Sequence, residues 1–290
     1  MTELVVIDEE LGSLEGKVIV ITGGSSGIGL ATVELLVSLG ASVVSGDIQA
    51  PQKRIQGSHT FVKTDVTKWE DLLALFKEAM RIHKRIDHVF ANAGIGPRTD
   101  YLSTQLDQHG DLLEPSSQTL EVNLKGVINT TTLATYYLRR QPEGGSIVIT
   151  GSATGFQRFR AVDYGMTKHG VIGFARGLVP ALEAARLSIR VNTLAPSWTD
   201  SNVLPSLKEK LRRVHVDAQP ASVVARCAAY LMADQSRNGQ VIHVQHGSCV
   251  EVDEAILLPT FRQQINGGSP TEDDALQRLE DAKLYDSVGA

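Results

Sequence analysis

The stretch KVIVITGGSSGIG, residues 17–29, carries a change of periodicity inside thirteen residues. Its first half, KVIVIT (17–22), is β-branched and apolar throughout, the pattern of a strand buried on both faces. Helical signal runs from Gly27 to about Leu39, and Gly40 reads as the stop. Between them lies TGGSSGIG (22–29). Glycines there let the backbone turn tightly and let a ligand approach with no Cβ in the way. The N–H groups of Gly23, Ser25, Ser26, Gly27 and Ile28, with the positive end of the helix dipole, favour a phosphate. A glycine motif alone says little, but strand, glycine turn and helix in this order point to a dinucleotide.

Outward from that unit the same alternation repeats. SVVSGD (42–47), HTFVKTD (59–65), IDHVFAN (86–92), SIVIT (146–150), SIRVNTL (188–194) and QVIHV (240–244) read as further strands. Helices are expected near 68–82, 117–140, 162–184 and 220–233. Strands alternating with helices of this length predict an α/β fold in one domain, a seven-stranded parallel sheet with helices on both faces. Residues 1–14 read as an N-terminal arm, 15–250 as the domain and 251–290 as a helical C-terminal extension. The polar connection at 97–118 is long for a compact domain, which marks it as functional or mobile.

The chain's 290 residues are 42% hydrophobic, enough for a sizeable core, and its formal net charge is −5. With no basic excess to neutralise phosphates, nucleic acid is not an expected partner. The two cysteines, Cys227 and Cys249, stand far apart in sequence and suggest no disulfide framework or zinc site. His83, His88, His109, His169 and His243 show no metal-ligand spacing. The acidic start lacks a secretory apolar stretch and no run spans a bilayer, so a cytoplasmic protein without membrane contact is expected.

Two further places bear on chemistry. The second strand ends in Asp47, where a carboxylate accepts hydrogen bonds from adenosine ribose hydroxyls and repels a 2'-phosphate. Ser26 precedes Gly27 and Ile48 follows Asp47, so no cation is placed to hold that phosphate, and NAD is favoured over NADP. Then YGMTK (164–168) sets Tyr164 and Lys168 four residues apart, on one face of a helix. That spacing alone does not separate a surface contact from a proton-transfer device.

With these segments the chain resembles the classical short-chain dehydrogenases/reductases over roughly residues 15–247, which implies a Rossmann fold. TGGSSGIG is similar to the family's cofactor turn. TDVT (64–67) resembles the segment whose Asp65 and Val66 meet the adenine. ANAG (91–94) resembles the motif by which Asn92, Ala93 and Gly94 line the cofactor. VNLKG carries Asn123, TGSATG carries Ser152, and YGMTK matches the tyrosine–lysine signature. The resemblance implies Tyr164 as general acid/base, its ionisation drawn down by Lys168 and the nicotinamide charge. It also implies that Lys168 bonds the nicotinamide ribose, that Ser152 bonds the substrate oxygen, and that Asn123 holds a water linking Lys168 to a proton relay. The long connection and the tail are similar to those of fungal secondary-metabolism and prostaglandin-type alcohol dehydrogenases.

Departures from the pattern are visible. Ser152 precedes Tyr164 by one residue fewer than is usual, which leaves Thr150 and Thr154 as weaker candidates for its role. After Pro196 the chain has Ser197 in place of glycine, in the segment whose backbone near Thr199 is expected to meet the carboxamide. Three segments should line a substrate pocket, with Ile95, Tyr101, Phe156, Phe159, Val162, Trp198, Val203 and Leu204, an apolar and aromatic set. The expected activity is interconversion of a secondary alcohol and a ketone on an apolar lipid, steroid-like or polycyclic substrate. A non-redox isomerase or cyclase on the same fold is the alternative, and a cofactor-sensing binding protein a third. A homodimer or homotetramer is expected through the helices near 117–140 and 162–184.

Overall fold

A computed structural model describes residues 3–201, 207–282 and 284. Val203 and Leu204, expected in the substrate pocket, lie outside the described residues. Among the described residues nine strands form one sheet in the order β1-β9-β8-β7-β6-β5-β2-β3-β4. Seven of them are parallel: β2 (Val18–Thr22), β3 (Ser42–Asp47), β4 (His59–Lys63), β5 (His88–Ala91), β6 (Gly145–Thr150), β7 (Ile189–Pro196) and β8 (Val241–Gln245). These are the seven strands read from the sequence. Two short antiparallel strands extend the edge beyond β8, which corrects the strand count from seven to nine. After β8 the chain reverses through His246 and Gly247, both at positive φ (48° and 89°), the geometry of a two-residue hairpin. That turn lays β9 (Ser248–Glu251) against β8, and β1 (Glu3–Leu4) then pairs with β9.

Five long helices cover the sheet: α1 (Gly27–Ser38), α2 (Trp69–His83), α3, α4 (Val162–Ala184) and α5 (Ala221–Ala233). Helix α3 starts at Gln118–Leu120, widens through a π turn at Glu121–Lys125 and continues as Gly126–Leu138. Successive side chains of a strand point to opposite faces, and β2 divides accordingly. Ile19 and Ile21 join one apolar cluster with Val33 and Leu36 of α1 and Val224 and Leu231 of α5. Val20 joins the other, with Leu72, Leu75 and Phe76 of α2, Val127 and Leu138 of α3 and Val171 of α4. Leu4, Leu11 and Leu14 sit in the first cluster, so the N-terminal residues pack into the core. Cys227 of α5 and Cys249 of β9 are neighbours there, both buried as free thiols.

Two segments lie outside this sandwich. Residues 97–117 leave β5 as an arm that returns to α3. The bridge Leu106–Leu112 pairs its tip, and Thr99 Oγ1 donates to the Ser116 carbonyl at 2.9 Å to close its neck. The tail begins where the Glu251 carboxylate accepts the N–H groups of Asp253 (2.8 Å), Ala255 (2.8 Å) and Glu254 (3.1 Å), which starts a new helical turn. Arg176 of α4 pairs with Asp253, its Nε 2.9 Å from Oδ2. Among the described residues no helix is long and apolar enough to cross a membrane.

Candidate active site

The strand order reverses direction between β2 and β5, and in such sheets ligands bind beyond the carboxyl ends of the strands at that point. Thr22 ends β2 and its Oγ1 accepts the N–H groups of Asn92 (3.2 Å) and Ala93 (3.3 Å), just past β5. Asn92 Nδ2 donates back to the carbonyls of Thr22 and Gly23, both at 3.2 Å, and its Oδ1 accepts Thr150 Oγ1 at the end of β6. One carboxamide thus ties three strand ends together. Two glycines of the turn are needed for close approach. A Cβ on Gly29 would stand 2.0 Å from the Gly23 carbonyl oxygen, and one on Gly23 would stand 2.8 Å from Ala93 Cα.

Asp47 Oδ2 accepts the Ser25 N–H at 3.0 Å, so this carboxylate also holds the glycine turn. Helix α1 starts with no side-chain cap and no acidic residue in its first turn. Ser25 Oγ is buried there without a hydrogen-bond partner. An uncapped positive helix end, an orphan hydroxyl and glycines with no room for a Cβ fit the phosphates of a dinucleotide. Ser26 takes an extended conformation directly before Gly27, and Ile28 follows inside the helix. Asp65 folds back on its own turn, its Oδ1 accepting both the N–H (3.0 Å) and Oγ1 (2.7 Å) of Thr67. Burial raises that carboxyl, but the Thr67 bonds and Lys68 outweigh it and hold it below the usual range. Val66 is buried, against the place where a Gly126 Cβ would sit.

Helix α4 presents Tyr164 and Lys168 on its inner face. Lys168 is buried, its Nζ donating to the Thr150 carbonyl at 2.8 Å and standing 5.7 Å from the centre of the Tyr164 ring. Burial lowers this ammonium to about 8. Ser152 stands near enough to act on the Tyr164 phenol, so the shortened spacing does not part them. Burial raises the phenol above its ordinary value and the Ser152 hydroxyl offsets only part of that. The expected downward pull is therefore not met by the chain's own groups, because desolvation of a phenolate dominates. Asn123 lies fully buried in the π turn of α3. Its Oδ1 accepts the Ile95 N–H (2.8 Å) and its Nδ2 donates to the Ile95 carbonyl (2.9 Å). That side chain pins the segment after Gly94. A Cβ on Gly94 would lie 3.4 Å from Asn123 Oδ1 and 3.8 Å from Lys168 Nζ, so Gly94 passes directly over the pair.

Ser197 is tied into the segment after β7. The Ser197 N–H bonds the Val244 carbonyl at 2.9 Å, and Thr199 Oγ1 bonds the Ser197 carbonyl at 2.9 Å. Pro196 ends the strand, buried as is Ala195 before it. Gln219, which sequence reasoning passed over, secures this segment. Its Nε2 donates to Thr199 Oγ1 (3.1 Å) and the Val244 carbonyl (2.9 Å), and its Oε1 accepts the His246 N–H (2.9 Å). Asp163 was missed too. It is buried in the first turn of α4, accepting the Arg98 N–H (2.8 Å), the Thr99 N–H (3.2 Å) and Thr119 Oγ1 (2.7 Å) on Oδ2, and the Tyr164 N–H (2.8 Å) on Oδ1. An acid in a helix's first turn is a visible signal, but its partners up to 65 residues away are not.

Of the residues expected to line a pocket, Phe159 and Trp198 meet with ring centres 6.2 Å apart, and Ile95 is held by Asn123. Tyr101 lies exposed on the arm. A groove of about 470 Å³ lies between residues 156–159 and Val162, Met166 and His169 of α4. Those helix positions are phased away from Tyr164 and Lys168, so Val162 faces outward rather than into the catalytic side.

The family model described as short chain dehydrogenase matches residues 17–212. A short-chain dehydrogenase/reductase of Acremonium egyptiacum, ascJ, is 52% identical over 100% of this chain and 97% of its own. A 3-oxoacyl-[acyl-carrier-protein] reductase of Thermotoga maritima is 33% identical over 81% of this chain and 98% of its own. A 5'-hydroxyaverantin dehydrogenase of Dothistroma septosporum is 28% identical over 81% and 86%. The crystal structure of gox2181 shares the fold, with a TM-score of 0.69 at 22% identity over 82% of this chain and 98% of its own.

Proposed function

Because this chain belongs to the short-chain dehydrogenase family, an oxidoreductase family, we propose that it interconverts a secondary alcohol and a ketone on an apolar substrate, using NAD. What carries this reading is the buried Lys168, held on the Thr150 carbonyl 5.7 Å from the centre of the Tyr164 ring and beneath Gly94, with Ser152 near enough to the phenol to draw it down. In oxidation Tyr164 takes the proton of the substrate hydroxyl, and Ser152 donates to the same oxygen as charge develops. The nicotinamide, when bound, supplies the hydride acceptor or donor. Lys168 keeps one N–H on the Thr150 carbonyl and has two more for the ribose beside the ring. Asn123 fixes Ile95 and so the wall of the crevice. The positive charge of the oxidised ring favours the phenolate that burial alone disfavours, so more of Tyr164 stands ready as the base when the oxidised cofactor is in place.

Asp47 supports NAD over NADP. Its Oδ1 accepts the Gln49 N–H only at 3.3 Å, which leaves acceptor capacity at the end of β3, and a 2'-phosphate there meets a like charge. The apolar substrate class is supported by Phe159 against Trp198, and the redox reaction by two relatives named one as a dehydrogenase and one as a reductase. Exposed Tyr136, Val162 and Met166 on the outer faces of α3 and α4 support a homodimer or homotetramer.

Titration with NADH and NADPH, followed by the reduced cofactor's fluorescence, tests the cofactor. NADH should bind at least roughly tenfold more tightly, about 1.4 kcal/mol, and equal or reversed affinity overturns the role given to Asp47. A screen of apolar secondary alcohols with NAD tests the chemistry. Tyr164→Phe should abolish turnover with NADH affinity retained, and full activity in that variant sinks the mechanism.

A further inference from the structure

Ser152 serves the proposed reaction only if its single proton points at the reacting oxygen. A serine hydroxyl has one donor and two acceptor positions. Both acceptor positions are filled here by one residue. Thr154 Oγ1 donates to Ser152 Oγ at 3.0 Å and the Thr154 N–H donates at 3.2 Å. The tight turn Ala153–Phe156 holds them together, with the Gly155 N–H on the Ser152 carbonyl at 2.8 Å. Ser152 is itself buried, so little water competes for it. What remains free is its own O–H, and Tyr164 is the neighbour whose phenol it draws down.

We propose that Thr154 is a positioning residue that fixes Ser152 as a hydrogen-bond donor, toward Tyr164 before the substrate enters and toward the substrate oxygen afterwards. The chain of donors runs Thr154 to Ser152 to Tyr164, and each bond strengthens the next. A donor stabilises the phenolate, whereas an acceptor stabilises the neutral phenol. Without the Thr154 hydroxyl, Ser152 is free to turn over and accept from the Tyr164 O–H. The Thr154 side chain then acts on the tyrosine's ionisation while touching neither the substrate oxygen nor the phenol. This inference rests on the reading of Tyr164 as the base, and it names the residue that prepares its partner.

The test needs no substrate. The full chain saturated with NAD is titrated with alkali while phenolate absorbance at 295 nm is followed. The Tyr164→Phe curve is subtracted to isolate Tyr164. Asp163 and Lys168, the charged groups beside Tyr164 on α4, stay in place in every variant. Thr154→Val, close in shape, should raise the Tyr164 midpoint by about half a pH unit, roughly threefold in the acid constant. Thr154→Ser should restore it. In a Ser152→Ala background Thr154→Val should have no further effect. NADH affinity should be unchanged throughout, which shows that the crevice is intact. A Thr154→Val midpoint equal to the parent's overturns the proposal, and so does an equal shift in the Ser152→Ala background. If Tyr164→Phe removes no transition at all, the reading of Tyr164 as the base falls, and this inference with it.

Discussion

The arm at 97–117 and the tail that begins at Glu251 are both additions to the parallel sandwich, and both are fastened to α4. They are fastened by different chemistry. The neck of the arm is held by one buried carboxylate, Asp163, that gathers two backbone N–H groups and the Thr119 hydroxyl. The start of the tail is held by an ion pair, Arg176 with Asp253, backed by Glu251 on the first N–H groups of the new turn. Neutral donors converging on a carboxylate make a latch that depends on geometry and on one ionisation. A guanidinium against a carboxylate makes one that depends on charge at both ends. The arm's latch also reaches the N–H of Tyr164, so it shares its residue with the catalytic turn, while the tail's latch sits thirteen residues further along the helix.

The largest effect should come from Arg176→Met, which leaves the Asp253 carboxylate buried without its partner. Urea unfolding should show a loss of about 3 kcal/mol, the low end for a broken pair because the guanidinium is partly exposed, and NADH affinity should stay within roughly twofold. A loss confined to the arm would break the contrast. Asp163→Ala should cost about 2 kcal/mol by leaving donors unsatisfied. Its signature is local: amide exchange at Arg98 and Thr99 should quicken, and protease cleavage between 100 and 116 should rise roughly tenfold. Unchanged cleavage there would mean that the neck bond of Thr99 to Ser116 is enough by itself.

Acid sharpens the difference. Burial raises the Asp163 carboxyl, but the bonds from Arg98, Thr119, Tyr164 and Thr99 outweigh it and hold it below the usual range. A depressed carboxyl gives its full stabilisation above its unfolded value and loses it as pH falls through the folded one. Protection of the Arg98 and Thr99 amides should therefore be flat from neutrality to about pH 4 and fall below it. Asp163→Asn should show no such step. The smallest effect is that of salt. At 1 M NaCl the cost of Arg176→Met should shrink by about 0.5 kcal/mol, and that of Asp163→Ala should not move.

What was legible in the sequence was what depends on neighbours along the chain. The helix expected at 162–184 is Val162–Ala184, and the strand expected at 42–47 is Ser42–Asp47, because apolar periodicity reports burial of one face directly. The glycine turn was legible from its place between strand and helix, and the shared helix face of Tyr164 and Lys168 from their spacing, while their roles came from the family resemblance. Less legible was whatever depends on residues distant in sequence. The pairing of β1 with β9 joins opposite ends of the chain, and two or four residues carry too little pattern to announce a strand. Gln219 reads as one polar residue before a proline, and only the folded chain brings it to Thr199, Val244 and His246. The rise of the Tyr164 phenol was hidden for the same reason, since burial is a property of the packed helix and not of the motif.

The contact of Cys227 with Cys249 has a practical side. The chain has no other thiols, and both are shut inside the cluster beneath the antiparallel edge. An alkylating reagent will count none in the folded protein and two in the unfolded one. Brief pulses of that reagent during storage, heating or refolding thus turn the pair into a built-in clock for the opening of that edge, with no label added and no residue changed.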